Sequence, residues 1–327
     1  MAWIVGIDEA GYGPNLGPLV MTAVACRVPD DAVNVDLWRL LRQGVRRHGQ
    51  RDDGRPLVAD SKLVYSPSRG LAQLEKTVLA ALDVRPTRFD EVEPLYHLTD
   101  LLNGLLCPHC LADLHEEAWF DGLTQLPMET TRSALEMARN LVRGACRRAG
   151  VQPKFWCRSV IVCAPRFNDL TDLADSKASV LRDALIWLSQ ACLAETACES
   201  TVVTVDKHGG RNQYGAMLQQ AFPTATLEAS EESMDRSVYR VDGIGRAAQF
   251  TFMPRADVAS FPVALASMVS KYVREGLMRE FNAFWQQHVP GLEPTAGYPV
   301  DSTRFFEQIQ PAMRTLGLCE RQVWRYR

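Results

Sequence analysis

The chain has 327 residues, 46% hydrophobic and 23% charged, with a formal net charge of -3. That supplies a sizeable core in one enlarged domain or two smaller ones, and it excludes a basic nucleic-acid coat, so any polyanion contact must come from local patches. No stretch approaches the ~20 uninterrupted apolar residues of a membrane span, and no basic segment followed by an apolar run opens the sequence, so neither a membrane location nor a secretory signal is expected. The nine cysteines are scattered and odd in number, which reads as reduced thiols in a cytoplasmic protein.

The apolar run Trp3-Ile4-Val5-Gly6-Ile7 predicts a buried strand. It ends in two adjacent acids, Asp8 and Glu9, and then in Gly11, Gly13 and Gly17 with Pro14 and Pro18. Successive strand residues point to opposite faces, so the second acid must leave the strand, and a glycine-rich turn permits that. Two acids beside a backbone that can approach a ligand closely point to a divalent metal and a phosphate; the alternative is an ordinary turn aspartate. The glycine spacing is not that of a dinucleotide loop, and the prolines stand where its helix would begin, so a nicotinamide cofactor is not expected.

Residues 19–28 read as a hairpin partner, 36–48 as a helix with a basic face (Arg39, Arg42, Arg46, Arg47), and 50–59 as a polar loop. Ser66-Pro67 is expected to open a helix reaching about residue 82. Residues 86–153 are organised differently, with several prolines, Cys107-Pro108-His109-Cys110 and an amphipathic helix over 129–148. Further on come a short strand at 160–162, a long helix over 176–198, with Asp175-Ser176-Lys177 as its cap, and a β-branched strand at 201–205. That strand ends in Asp206, followed by Lys207-His208-Gly209-Gly210-Arg211. A helix over 212–221, strands at 238–242 and 247–252, and a long helix from Asp257 to about residue 285 follow. A last helix starts at 302 and is expected to end or kink at Pro311. Interleaved strands and helices predict an α/β fold around a central mixed sheet.

Asp206 repeats the geometry of the first strand, and sites in open α/β sheets gather outside the carboxyl ends of strands. Asp8, Glu9, Asp206 and Asp257 meeting there would repel one another strongly, and two Mg²⁺ or Mn²⁺ ions about 4 Å apart would relieve that and clamp a phosphoryl displacement. Taken alone, Asp257 reads as a helix cap.

Five segments, in order, resemble the motifs of ribonuclease HII, the type 2 ribonuclease H family. They are Gly6-Ile7-Asp8-Glu9-Ala10-Gly11 with Gly13-Pro14 and Gly17-Pro18; Asp60-Ser61-Lys62-Leu63; Val205-Asp206; Asp257 with the helix over 264–275; and Gly297-Tyr298-Pro299. The resemblance implies a ribonuclease H-like fold, a mixed β-sheet flanked by helices. It implies a metal-dependent endonuclease that hydrolyses the RNA strand of RNA–DNA hybrids, or cuts at ribonucleotides embedded in a DNA duplex, leaving 5′-phosphate and 3′-hydroxyl ends. It assigns Asp8, Glu9, Asp206 and Asp257 as metal ligands, the Gly11-Tyr12-Gly13 backbone to the 2′-hydroxyl, and Tyr298 to the sugar. Ser61, Lys62 and Lys271 are carried over as phosphate contacts or supports of the acids. Without the resemblance, Tyr298 reads equally as a turn tyrosine packed on the core, Ser61 as a turn cap, and both lysines as solvated.

Two departures stand out. Tyr12 occupies the position between the loop glycines where the family has a basic residue, and Lys207-His208-Arg211 follow the third acid, either adding cations close to the metals or forming a solvated basic loop. Tyr12 motivates a second reading, a nucleic-acid-binding protein of the same fold with altered substrate or lost turnover.

The catalytic domain is therefore expected at 1–85 and 154–327, with 86–153 a mainly helical insertion of unknown role. Cys107 and Cys110, with His97 and His115 nearby, have zinc-like spacing at one end, but no second Cys-x-x-Cys follows, so buried or loop thiols are the favoured expectation over zinc. Trp119-Phe120, Arg143, Arg147, Arg148 and the tail from Arg321 to Arg327 each read either as nucleic-acid contacts or as packed and solvated residues.

Overall fold

A computed structural model of the chain describes residues 1–83, 96–196, 198–245 and 247–326. The expected insertion boundary at 85/86 and Arg327 lie outside the described residues.

The first strand, β1 (Ala2–Ala10), pairs antiparallel with β2 (Leu19–Val28), as the hairpin reading expects. Three helices follow: α1 (Leu37–Leu40), α2 (Ser61–Val64) and α3 (Ala72–Ala81). Then come β3 (Tyr96–His97), α4 (Leu98–Leu105), α5 (Pro108–His115), β4 (Gln125–Leu126) and α6 (Arg132–Arg148). The chain continues through β5 (Trp156–Val162), α7 (Ala164–Ala174), α8 (Ala178–Thr196), β6 (Ser200–Asp206) and α9 (Gly215–Ala221). Strands β7 (Thr226–Glu232), β8 (Ser237–Asp242) and β9 (Ala248–Met253) precede α10 (Ala256–Ala259), α11 (Phe261–His288), α12 (Pro299–Thr315) and α13 (Glu320–Val323).

Seven strands form one mixed sheet in the order β5-β2-β1-β6-β9-β8-β7. Strands β1, β6 and β9 run parallel, with Ile7 beside Val205 and Asp206 beside Met253. Their carboxyl ends therefore share one edge. Side chains of β1 are buried from Ala2 to Asp8 whatever their parity, so both faces are covered, and α8 and α11 both pack on the central strands. This is the mixed sheet flanked by helices expected from the sequence.

Gly6 sets the approach of α11. A Cβ there would lie 2.1 Å from the backbone nitrogen of Val263 and 2.2 Å from the carbonyl carbon of Pro262. The first turn of α11 thus rests directly on β1, which brings the preceding one-turn helix α10 and its Asp257 to the edge where β1 ends. A second apolar cluster joins the far half of α11 (Met278, Phe281, Trp285) to α12, Val323 and Leu16 of the glycine-rich loop.

Several expected elements differ. The helix over 36–48 is one turn: Asp36 caps it on the amide of Trp38, but after Leu40 the backbone leaves to pair Arg46 with the strand-like segment at Pro56 and Val58. Gly44 presses on the Leu141 carbonyl, where a Cβ would come within 2.4 Å. The helix expected at Ser66-Pro67 starts only at Ala72, after a turn through Gly70 at φ +72°. The helix over 176–198 starts at Ala178 and is preceded by a separate helix, α7, whose C-cap is Asp175 with φ +46°. Pro311 does not end the last long helix, which runs through it to Thr315. Its ring and Glu307, whose carbonyl loses the bond, are exposed, so water can take the unmade contact. Strand β7 has no apolar alternation because it is a mostly exposed, charged edge strand.

Replacing Gly6 by alanine forces a Cβ into the backbone of α11. Thermal unfolding of Gly6→Ala is expected to show a loss of about 1–3 kcal/mol or more; an unchanged midpoint would mean that α11 can step away from β1 without cost.

Candidate active site

Five acids converge on the shared strand edge. Asp8 and Glu9 end β1, Asp206 ends β6, Asp257 sits inside α10, and Asp60 caps α2. Asp8 is 9% exposed. Burial, then the neighbouring Glu9 and Asp206 charges, push its carboxyl well above the usual carboxylate range, against a bond from the Ser267 hydroxyl. Burial and then the charge of Asp206 raise Glu9 to about 7. Asp206 and Asp257 are also raised, burial first, with the charge of Asp60 acting on both. Among the described residues no three of these acids bring ligand oxygens within 4.8 Å of one another; they act on each other as like charges across a cleft.

Two features offset the crowding. The amide of Ala256, at the start of α10, donates to Asp206 Oδ1 at 2.8 Å. The exposed Lys62 ammonium lowers Glu9, Asp206 and Asp257. Glu9 Oε2 is nonetheless buried with no hydrogen-bond partner. His208 Nε2 stands 3.7 Å from it, but burial, and then the Arg211 charge, lower that imidazole to about 4, so it is neutral and offers Glu9 no charge. An orphaned carboxylate oxygen among acids that resist ionisation fits a divalent cation, whose hard oxygen-ligand preference this donor set satisfies.

The glycine-rich loop is held from behind by two buried arginines. Arg274 donates from Nε to the Pro18 carbonyl (3.2 Å), and from one terminal nitrogen to the carbonyls of Leu16 (3.1 Å) and Ala296 (3.0 Å). Arg325 donates to the carbonyls of Gly11 (2.8 Å) and Pro14. Gly11, at φ +90°, has no room for a side chain: a Cβ would meet Arg274 Nε at 2.5 Å. The amides of Asn15 and Leu16 donate to the Gly297 carbonyl at 2.8 and 3.2 Å. This clip sets Tyr298, 42% exposed, beside the loop, its ring 3.9 Å from the Cβ position of Gly13.

The other expected site residues divide. Tyr12 is partly buried with the charges of Glu9 and Arg211 acting on it, and the Lys177 ammonium lies 4.8 Å over its ring. Ser61 is buried with its hydroxyl 3.1 Å from that of Ser267, so it supports the residue bonded to Asp8. Lys271 is paired with Glu275 at 2.6 Å and lies 4.9 Å over the ring of Tyr65. Asp257 caps no helix: Arg255 and Ser260 hold the cap positions of α10 and α11. Of the cations after the third acid, Lys207 donates to Asn212 (2.9 Å) and to the Ser233 carbonyl (2.5 Å), His208 is neutral, and Arg211 alone bears on Tyr12. In the sequence Asp60 figures only as the first residue of the Asp60-Ser61-Lys62-Leu63 motif, with no role of its own; here it caps α2 and also stands among the acids.

The nucleic-acid alternatives elsewhere are mostly taken up by packing. Trp119 stacks edge-on against Phe281 at 5.1 Å, Trp324 packs on Phe306 at 5.0 Å, and Arg321 pairs with Asp169 and Asp172.

No protein-family model and no curated protein matches the chain. Among solved structures it is similar to ribonuclease HII from Archaeoglobus fulgidus in its complex with PCNA, at 16% identity and TM-score 0.47, over 99% of this chain and 94% of that one. It is similar to ribonuclease H2 from Pyrococcus horikoshii OT3 at 14% identity and TM-score 0.44, over 98% and 92%. Bst ribonuclease HIII in complex with Mn²⁺ matches at 13% identity and TM-score 0.45, over 99% and 66%.

A carboxyl raised on folding stabilises the fold while protonated and withdraws that stability as pH rises through its folded value. For Glu9 the window runs from 4.5 to about 7. In the presence of chelator, Glu9→Gln is therefore expected to unfold at the same temperature as wild type near the bottom of that window and at a higher temperature above its top. A difference that does not vary with pH would contradict the crowding.

Proposed function

We propose that the chain is a metal-dependent endonuclease of the ribonuclease H type, acting on the RNA strand of RNA–DNA hybrids or on ribonucleotides within duplex DNA. The observation that carries this reading is the raised, partly orphaned carboxylate set standing directly beside a backbone loop too tight for side chains. In this reading residues 1–85 and 154–327 carry the chemistry, in a reducing compartment consistent with nine unpaired thiols.

Asp8, Glu9, Asp206 and Asp257 would hold Mg²⁺ or Mn²⁺. When bound, such ions lower the pKa of a coordinated water and stabilise charge on the leaving oxygen. The Gly11-Tyr12-Gly13 backbone meets the 2′-hydroxyl, the group that separates RNA from DNA; Arg325 fixes it by the Gly11 and Pro14 carbonyls, and Arg274 holds the rest of the loop by those of Leu16 and Pro18. Tyr298 offers its exposed ring to the sugar, and Lys62 lies where it can meet a phosphate as well as offset the acids. Ser61, through Ser267, and the neutral His208 position the acids. Lys271, paired with Glu275, acts on this surface indirectly. Lys177 over Tyr12 supplies positive charge at the loop tip.

The test is cleavage of a DNA duplex carrying one ribonucleotide, beside an RNA–DNA hybrid and an all-DNA duplex, with Mg²⁺ and with Mn²⁺. Cutting at the ribonucleotide is expected, with Asp8→Asn and Asp257→Asn slower by about 10³-fold, since a bound ion is worth several kcal/mol. Folded, metal-bound protein that cuts none of the substrates would favour the nucleic-acid-binding reading.

Stacking on a sugar or base is worth about 1–3 kcal/mol. Tyr298→Ala is accordingly expected to lower kcat/KM by about tenfold or more while Tyr298→Phe retains it. Equal loss in both would move the tyrosine's role from its ring to its hydroxyl.

A further inference from the structure

Away from the acids, Cys107, His109 and Cys110 gather three metal-binding atoms on the first turn of α5. Cys107 holds the N-cap position with extended backbone, Pro108 opens the helix, and Cys110 follows three residues after the cap. That spacing is the one across which N-cap and third-residue side chains meet, so both sulfurs face the same side. The loop before them is pinned to the sheet, since Leu106 bridges to Ser159 of β5. Both cysteines are buried.

The partly exposed His109 ring folds back over the thiols. Its Nε2 lies 3.4 Å from Cys107 Sγ and 3.5 Å from Cys110 Sγ, and its Nδ1 3.0 Å from Cys107 Sγ. Tetrahedral Zn²⁺ with Zn–S near 2.3 Å and Zn–N near 2.0–2.1 Å separates sulfur and nitrogen ligands by about 3.5 Å, the spacing that Nε2 keeps from both sulfurs. Trp187 sets the ring edge-on at 6.2 Å. Arg166, whose charge bears on His109, is paired with Asp113 at 2.9 Å.

We propose that Cys107, His109 and Cys110 form a second metal site, for Zn²⁺ or a similar thiophilic divalent ion, separate from the carboxylate cleft. Two thiolates and an imidazole select such an ion over Mg²⁺ or Mn²⁺. Among the described residues no fourth Cys, His, Asp or Glu joins the group; His97 caps α4 and His115 stacks on Phe120. The fourth coordination position is thus open to water or an incoming ligand on the side where His109 reaches solvent. The ion would tie α5 to the loop that Leu106 fastens to β5.

The full chain, reduced and stripped of metal, would be titrated with Co²⁺ and then Zn²⁺. The expected result is thiolate-to-cobalt charge-transfer absorption, a band that carboxylates cannot give, saturating at one equivalent and abolished by Zn²⁺. Cys107→Ser should lose it. His109→Ala, a change at a partly exposed side chain, should weaken Co²⁺ binding by about tenfold or more with an unchanged circular dichroism spectrum. The proposal is overturned if wild type gives no band, if His109→Ala binds Co²⁺ as wild type does, or if Cys107 and Cys110 form a disulfide that saturating Zn²⁺ does not prevent.

Discussion

Like charges buried on one sheet edge are the constraint from which the rest of this molecule follows. Parallel pairing of β1, β6 and β9 aligns their carboxyl ends, and each end, or the turn after it, carries an acid. The missing side chain of Gly6 lets α11 settle on β1 and delivers Asp257 to the same edge. Burial and proximity then raise Asp8, Glu9, Asp206 and Asp257 together. A fold gains nothing in stability from such an arrangement, and the Lys62 charge, the Ser267 hydroxyl and a few backbone amides offset only part of it. The arrangement makes sense as a place prepared for cations that enter from outside.

The loop beside the acids is built with the opposite sign. Arg274 and Arg325 are buried guanidiniums that spend their donors on backbone carbonyls of residues 11–18 and 296. Some of their nitrogens are left without partners. Burial lowers Arg325 to about 9, and the ring of Phe167 takes its face at 4.6 Å. The end of the chain is thus a structural support of the loop: Arg325 returns to the first turn of the molecule, and the second apolar cluster carries Leu16 with it. Acids that repel and a loop held rigid from behind put a fixed backbone surface next to a metal-seeking pocket.

Much of this was legible in the sequence because β1, buried on both faces, reads as a continuous apolar run and β6 as a β-branched one, each ending in an acid. Asp8, Glu9 and Asp206 announce themselves that way. What was not legible depended on tertiary partners. Asp60 lies at no strand end and shows its place only when α2 is set beside the acids, and Arg325 reads as one residue of a basic tail until the loop carbonyls beside it are seen. The 36–48 segment has helical composition, but Arg46 finds better bonds with the chain at Pro56 and Val58. Strand β7 is polar on both faces and has no period to detect. His109 lies between two cysteines in sequence, and only the fold shows its ring turned back onto both, where His97 and His115 had been the expected companions.

The central claim is that crowding raises these carboxyls in the free protein, Glu9 to about 7, so that a divalent ion binding there displaces a proton. Calorimetric titration with Mn²⁺ in buffers of different ionisation enthalpy measures this directly, because it counts protons released on binding. Near pH 7 the account predicts net proton release on Mn²⁺ binding, diminished in Glu9→Gln and fading as pH rises above the range in which Glu9 titrates. Mn²⁺ binding with no proton release at any pH, or no Mn²⁺ binding by the folded chain, would contradict it.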